Sequence, residues 1–224
     1  MGELNAQFLA RMEHLLWLYA QAYDARYPVV CFDERPCFLI GEVVAPFHDG
    51  HLKKEHYAYE KHGSCALWAA LEPLTGQRLA LVLPQRTKKE YTEFCQALAA
   101  RYPKAIKIRL VQDNLNTHNA SSFYEHLPAD EAFALAQKFE FHYTPKAASW
   151  LNMIEIEFSA LARQCLDRRI AAIELLRAEV LALVQERSEK KIKIHWQFSI
   201  ETARTKLNRH YEKVQADNIK YKPT

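Results

Sequence analysis

The fold of this chain is decided by residues 141–158, which read FHYTPKAASWLNMIEIEF. The stretch begins as a short apolar strand and breaks at Pro145, and it resumes as a helix behind Ser149, a residue type that caps helices well. Apolar side chains then recur every three or four residues, at Leu151, Ile154, Phe158, Leu161 and Cys165. This spacing predicts an amphipathic helix with one buried stripe.

Two glutamates lie within this predicted helix. At about 100° per residue, Glu155 is expected near the edge of the apolar stripe and Glu157 roughly on the other side. A carboxylate beside a core-facing stripe is unfavourable unless a charged group meets it. Glu155 is therefore the candidate functional acid of this helix.

Two apolar runs elsewhere in the chain lead into an aspartate. Residues 28–32 are followed by Asp33, and residues 106–111 are followed after Gln112 by Asp113. Both runs predict β-strands, and open α/β sheets build their sites at strand ends. Two such aspartates and one helical glutamate can converge on a hard divalent cation, which prefers oxygen ligands. Taken singly, each acid is more often turn chemistry or a solvated side chain.

The composition is typical of an ordered domain, because 49% of the 224 residues are hydrophobic and 25% are charged. A net charge of +3 is compatible with nucleic-acid binding but supports it only weakly. The five cysteines, at positions 31, 37, 65, 95 and 165, include no C-x-x-C pair, which favours reduced thiols. No apolar run reaches membrane-spanning length and no signal-peptide pattern is present, so we expect a soluble, cytoplasmic chain without a membrane partner.

The order of predicted elements is that of an α/β domain with a mixed sheet. In the first half of the chain we expect a helix over 4–24, a strand ending at 33, a short strand over 37–44, and a hairpin of 64–72 and 78–83. A helix over 87–101 and a strand over 106–111 follow. The rest of the chain is expected to form a helical stretch to 138, a strand over 139–143 and helices after 149, 172 and 199. The hairpin makes the sheet mixed, since a tight turn joins antiparallel strands.

Residues 46–63 are polar and rich in histidine, with His48, His51, His56 and His62. No spacing among them matches a known metal-ligand pattern, so a metal cluster is the less favoured interpretation. A solvated loop that brings Lys53 and Lys54 near a phosphate backbone is favoured.

Three sequence motifs stand out: VCFDE at 30–34, DNLNTH at 113–118, and HYTPK with SWLNMIEIEF over 142–158. They closely resemble the catalytic domain of bacterial insertion-sequence transposases of the Tc/mariner superfamily, of the insertion sequence 630 type. Further similarity lies at 57–63, 163–169 and 196–207, so the resemblance covers nearly the whole chain. It implies an α/β, ribonuclease-H-like fold with a mixed five-stranded sheet flanked by helices.

The same resemblance implies a DDE triad formed by Asp33, Asp113 and Glu155, with Glu157 as the alternative final acid. The triad would also be the metal site, holding Mg²⁺ or Mn²⁺, two ions in all, for DNA cleavage and strand transfer. We expect an N-terminal helix and linker at 1–26, the catalytic domain at 27–190 and a basic helical extension at 191–224.

The resemblance further implies DNA as the partner, both transposon ends and target, together with a homodimer. Members of the family carry helix–turn–helix domains before this region, which predicts a separately encoded helix–turn–helix partner. The side chains expected to contact DNA are Lys53, Lys54, Arg109, Asn114, Asn116, His118, Lys146, Trp150, Asn152, Arg163, Arg168, Arg169, Lys190 and Lys191. Two alternatives stay open: a non-catalytic DNA-binding or assembly remnant, and a stand-alone nuclease of the same fold.

Overall fold

The computed structural model describes residues 4–43, 47–49, 52–54 and 58–221, with the backbone alone at 47–49, 52–54 and 219–221. The strands are β1 Val29–Glu42, β2 Phe47–Asp49, β3 Leu52–Lys54, β4 Tyr59–Glu72, β5 Gln77–Leu83, β6 Ile108–Gln112 and β7 Phe139–Tyr143. The α-helices are α1 Ala6–Tyr19, α2 Lys88–Arg101, α3 Ser121–His126, α4 Ala129–Lys138, α5 Ile154–Gln164, α6 Ile173–Glu189, α7 Ile200–Lys206 and α8 Asn208–Val214. Two 3₁₀ helices cover Ser149–Leu151 and Ala216–Tyr221.

Five strands form the central sheet, in the order β5-β4-β1-β6-β7. The pairs β5–β4 and β4–β1 are antiparallel, whereas β1–β6 and β6–β7 are parallel. The expected mixed five-stranded sheet flanked by helices is therefore confirmed. No helix in the described part of the chain is long and apolar enough to cross a membrane.

A hydrophobic core lies on each face of the sheet. One contains Met12 of α1, Ile154 of α5 and buried residues of α6, α7 and α8, and the other contains Tyr91 of α2 and Phe123 of α3. Neighbouring residues of a strand point to opposite faces, and β1 accordingly sends Cys31 to the first core and Phe32 to the second.

The first predicted strand proved longer than expected. The sequence analysis predicts one strand that ends at Asp33 and a shorter one at 37–44, but β1 is a single strand of 14 residues. It continues past Asp33, which lies opposite Ala69, because the long partner strand β4 supplies hydrogen bonds along its whole length. Periodicity within β1 could not reveal a partner strand whose paired residues lie 17 or more positions away.

Two helix boundaries also differ from the prediction. Ser149 begins a 3₁₀ turn rather than capping the helix, and α5 starts at Ile154 behind Met153. The helical stretch after Asp113 is divided into α3 and α4 at Pro128, which lacks a backbone N–H and is extended in ψ.

Candidate active site

The parallel pairing of β1 and β6 brings the two candidate aspartates to the same level of the sheet. Cys31 lies opposite Val111, and Asp33 and Asp113 each follow two residues later. β6 ends at Gln112, whereas β1 continues because β4 pairs with its other edge. Asp113 therefore lies on a loop at the carboxyl end of β6, beside the middle of β1.

A buried asparagine joins the start of α5 to β1. Asn152 is buried, and its side-chain amide donates to the Phe32 carbonyl at 2.8 Å, while its backbone carbonyl accepts from the Glu155 N–H at 3.1 Å. These two hydrogen bonds hold the first turn of α5 against the strand position next to Asp33. The expectation that Asn152 contacts DNA is therefore wrong, since its amide is used inside the protein.

The charges of both other candidate acids act on Asp33. Burial raises the pKa of Asp33 to about 7, and the negative charges of Glu34, Asp113 and Glu155 contribute to the rise. A hydrogen bond of 2.8 Å from the Glu34 N–H to the Asp33 carboxylate opposes it. A cluster of like charges that holds one carboxyl near neutrality is typical of sites that bind cations or protons.

Glu157 faces the interior, on the side of α5 opposite to the one that the sequence analysis predicts. It is only 1% exposed, and its Oε1 lies 2.9 Å from the Nε atoms of both Arg78 and Arg187. Its position three residues after Ile154 places it about 60° from that buried side chain around the helix. The predicted phase is wrong because the sequence could not show that two arginines would neutralise this carboxylate.

His118 is buried in the core on the α2–α3 face and bridges two acids. Its Nδ1 lies 2.5 Å from the Asp113 Oδ1, its Nε2 lies 3.1 Å from the Glu34 Oε2, and its ring stacks on Tyr91. Burial alone would lower the pKa of His118, but the hydrogen bonds and charges of Asp113 and Glu34 raise it to about 9. The imidazolium therefore holds the Asp113 carboxylate in place, and the expectation that His118 contacts DNA is wrong.

Glu34 is a member of this cluster that the sequence analysis did not select. Strand alternation sends its side chain to the face opposite Asp33, where it is 4% exposed beside His118. The available signal was its place next to Asp33, just after the apolar run 28–32, since a buried acid requires a partner.

A sequence model of the DDE superfamily endonucleases matches residues 28–177, which include all three candidate acids. The chain belongs to this family. The assignment of the family's DDE pattern to Asp33, Asp113 and Glu155 stays a prediction from the sequence motifs. A comparison with curated protein sequences gives no match.

Solved transposase structures share the fold of this DDE-family chain. The Mos1 strand transfer complex aligns with a TM-score of 0.58 at 14% identity, over 95% of this chain and 61% of the Mos1 chain. The Mos1 mariner paired end complex with Mn aligns with a TM-score of 0.54, also at 14% identity, over 97% and 64% of the respective chains. The ribonuclease-H-like fold is therefore confirmed, and the chain spans about 61% of the length of its first structural relative.

The donor atoms of the candidate triad fit a hard divalent cation. All are carboxylate oxygens, which suit Mg²⁺ or Mn²⁺ better than a thiolate-preferring metal. Within the described part of the chain, however, no three His, Cys, Asp or Glu side chains form a ready-made metal-binding group. One oxygen of Asp33 already accepts from Glu34, and one of Asp113 is held by His118. The residues fit a cation whose remaining ligands come from substrate phosphates, as is common for Mg²⁺.

Few of the expected DNA contacts gather around these acids. Asn114 and Lys146 line a cavity of about 660 Å³ together with Asp113. Asn116 is exposed on the loop after Asp113, and Trp150 is exposed in the 3₁₀ turn before α5, where its ring meets the edge of Phe198. These side chains remain candidates for DNA contact.

The other expected DNA contacts lie apart from one another, and several are engaged within the protein. Arg109 lies over the Tyr27 ring and 3.7 Å from Glu140. Arg163 and Arg168 line a separate cavity beside α6, and Lys191 lines another against β5. Arg168 pairs with Glu179, Arg169 donates to the Ala58 carbonyl, and Lys190 pairs with Glu186. The side chains of Lys53 and Lys54 lie outside the described residues.

Proposed function

We propose that this chain is the catalytic domain of a DDE transposase of the insertion-sequence type, which cleaves DNA and joins the cut strand to a second duplex. The single observation that carries the proposal is that the β1–β6 pairing and the hydrogen bond from Asn152 to Phe32 bring together the segments that bear Asp33, Asp113 and Glu155, three acids far apart in sequence. Family membership supports the reaction class, and the fold supports the same assignment.

The proposed metal ligands are Asp33, Asp113 and Glu155, and the proposed cofactor is Mg²⁺ or Mn²⁺, as two ions. When bound, such ions activate an attacking water or 3′-hydroxyl and stabilise charge on the leaving oxygen. Asp33 would hold the cations together with Asp113 and Glu155, since the charges of both other acids act on it. The proton that its raised pKa retains near pH 7 must leave before both of its oxygens can bind a cation.

Two further residues would position these ligands. Asn152 fixes the first turn of α5 through the Phe32 carbonyl, and His118 fixes the Asp113 carboxylate. The Mos1 complexes contain transposon ends and a strand transfer product of that protein. For this chain we propose transposon ends and target DNA as substrates, assembly as a homodimer, and end recognition by a separately encoded helix–turn–helix partner.

The proposal is tested by incubating the purified chain with an end-labelled DNA duplex and either Mg²⁺, Mn²⁺ or EDTA. We expect cleavage with either metal and none in EDTA, read on a denaturing gel. Joining of the labelled end to a plasmid then distinguishes a transposase from a stand-alone nuclease, which would cleave without joining. DNA binding without metal-dependent cleavage would instead favour a non-catalytic remnant and contradict the proposal.

We expect His118→Gln to lower the cleavage rate or the affinity for Mn²⁺ by about 10- to 100-fold, the usual effect of losing a group that orients a metal ligand. The cause is the loss of the charged partner that holds Asp113. The measurement is a Mn²⁺ titration of the cleavage rate, with folding checked by circular dichroism. Tyr91→Phe is the matched control, because it keeps the ring stacked on His118 and removes only the hydroxyl that donates to Gln112. An unchanged Mn²⁺ dependence in His118→Gln would show that His118 has no positioning role.

A further inference from the structure

A groove extends from Asp113 along α1. The cavity of about 660 Å³ beside Asp113 is also lined by Lys146, which follows β7, and by Arg11 of α1. A second cavity of about 290 Å³ shares Arg11 and Lys146 with the first and reaches Asn5 at the start of α1. The two cavities therefore form one continuous path that leads away from the candidate triad.

The charge of this groove is positive beyond Asp113. Its other ionisable side chains are Arg11 and Lys146, and neither has an ion-pair or hydrogen-bond partner within the described part of the chain. Arg204, by contrast, is neutralised by Glu13, which also lies on α1. The first turn of α1 contains no acid, so the positive end of the helix dipole adds to the potential at the far end of the groove.

Arg11 is held firmly relative to the candidate triad. Met12 and Leu15 of α1 are fully buried in the core that also contains Ile154. The Tyr19 hydroxyl donates to the Leu151 carbonyl at 2.8 Å, which ties α1 to the segment that leads into α5. The helix backbone at Arg11 is therefore fixed, and the planar fork of its guanidinium matches phosphate oxygens and loses less conformational freedom per hydrogen bond than a lysine would.

We propose that this groove binds the phosphates of the DNA strand adjoining the scissile bond, with Arg11 as the main phosphate ligand and Lys146 as a second charge. The inference rests on the proposed function, since it assigns the path of that substrate. The family match covers residues 28–177 and leaves Arg11 outside it. A helix preceding the matched region thereby contributes directly to the DNA-binding surface.

The test compares Arg11→Gln with Arg101→Gln in binding to a fluorescein-labelled DNA duplex, measured by anisotropy in EDTA at several salt concentrations. Arg101 is the matched control, because it is an exposed arginine at the end of α2 shortly before β6 begins, away from the carboxyl end of that strand. We expect Arg11→Gln to raise Kd about tenfold and to reduce the salt slope by about one, while Arg101→Gln leaves both near the wild-type values. Lys146→Gln should show a smaller effect in the same direction, and Arg11→Lys should restore the salt slope.

Binding is measured in EDTA, where no catalysis occurs, so the groove assignment and the proposed catalytic function can fail separately. Equal Kd and salt slope for Arg11→Gln and wild type would overturn the groove assignment, whether or not the wild type cleaves DNA. Equal losses in Arg11→Gln and Arg101→Gln would also overturn it, because they would reflect net charge alone. If Arg11→Gln weakens binding selectively and the wild type fails to cleave with Mg²⁺ or Mn²⁺, the groove stands and the proposed catalysis falls.

Discussion

Glu157→Gln is expected to lower the free energy of unfolding by about 3–5 kcal/mol, the usual effect of removing one partner from a buried ion pair. The Glu157 carboxylate is 1% exposed and accepts from Arg187 Nε at 2.9 Å and from Arg187 Nη2 at 3.1 Å. Arg78 approaches the same carboxylate from β5. A neutral amide would leave two buried guanidinium groups without a counter-charge, and the contact that joins β5, α5 and α6 would be lost.

Glu155→Gln is the matched control for this experiment, because it makes the same chemical change two residues earlier in the same helix. Glu155 is half-buried and repels Asp33, so its neutralisation should leave stability unchanged or slightly increased. The measurement is urea denaturation in EDTA, followed by far-ultraviolet circular dichroism. Equal denaturation midpoints for the two variants would contradict the structural role assigned to Glu157. Under conditions in which both variants are folded, Glu157→Gln should retain metal-dependent cleavage, whereas Glu155→Gln should not.

Asp33→Asn is expected to abolish metal-dependent cleavage without loss of stability. Asp33 is the acid on which Asp113 and Glu155 both act, and burial together with these charges raises its pKa to about 7. In EDTA, an uncharged amide at this position relieves repulsion, so the melting temperature should equal or exceed that of the wild type. Mn²⁺ should raise the melting temperature of the wild type by binding the folded state, and this increase should disappear in Asp33→Asn.

Asp167→Asn is the control for that experiment. Asp167 is exposed in the segment after α5, and the same substitution there removes one negative charge outside the triad. It should keep both the cleavage activity and the stabilisation by Mn²⁺. Cleavage by Asp33→Asn at the wild-type rate would exclude Asp33 as a metal ligand.

Elements defined by local interactions could be predicted closely from the sequence. The strand expected over 139–143 is β7, and Thr87 caps α2 with a capping box to Glu90, since both features depend on residues only a few positions apart. The hairpin of β4 and β5 was likewise predictable from the turn residues between two apolar runs. The aspartates at 33 and 113 could be selected for the same reason, because each follows an apolar strand run.

The roles of several polar residues were not predictable in this way. His118 and Asn152 were expected to contact DNA, and both proved to be buried connectors. Their partners Glu34 and Phe32 lie 84 and 120 positions away in the chain. A hydrogen bond across such a separation depends on strand order and register, which a single sequence does not specify.

The sequence by itself determined the hydrophobic alternation of the strands, the Thr87 cap of α2 and the three acids in their motifs, because these depend on neighbouring residues. Only the tertiary structure decided which glutamate of α5 faces Asp33 and which is buried against Arg78 and Arg187. It also decided that Arg11 lies along a groove leading to Asp113. The physical reason is that a charge acquires its role from the charges that the fold brings beside it, and those come from distant segments of the chain.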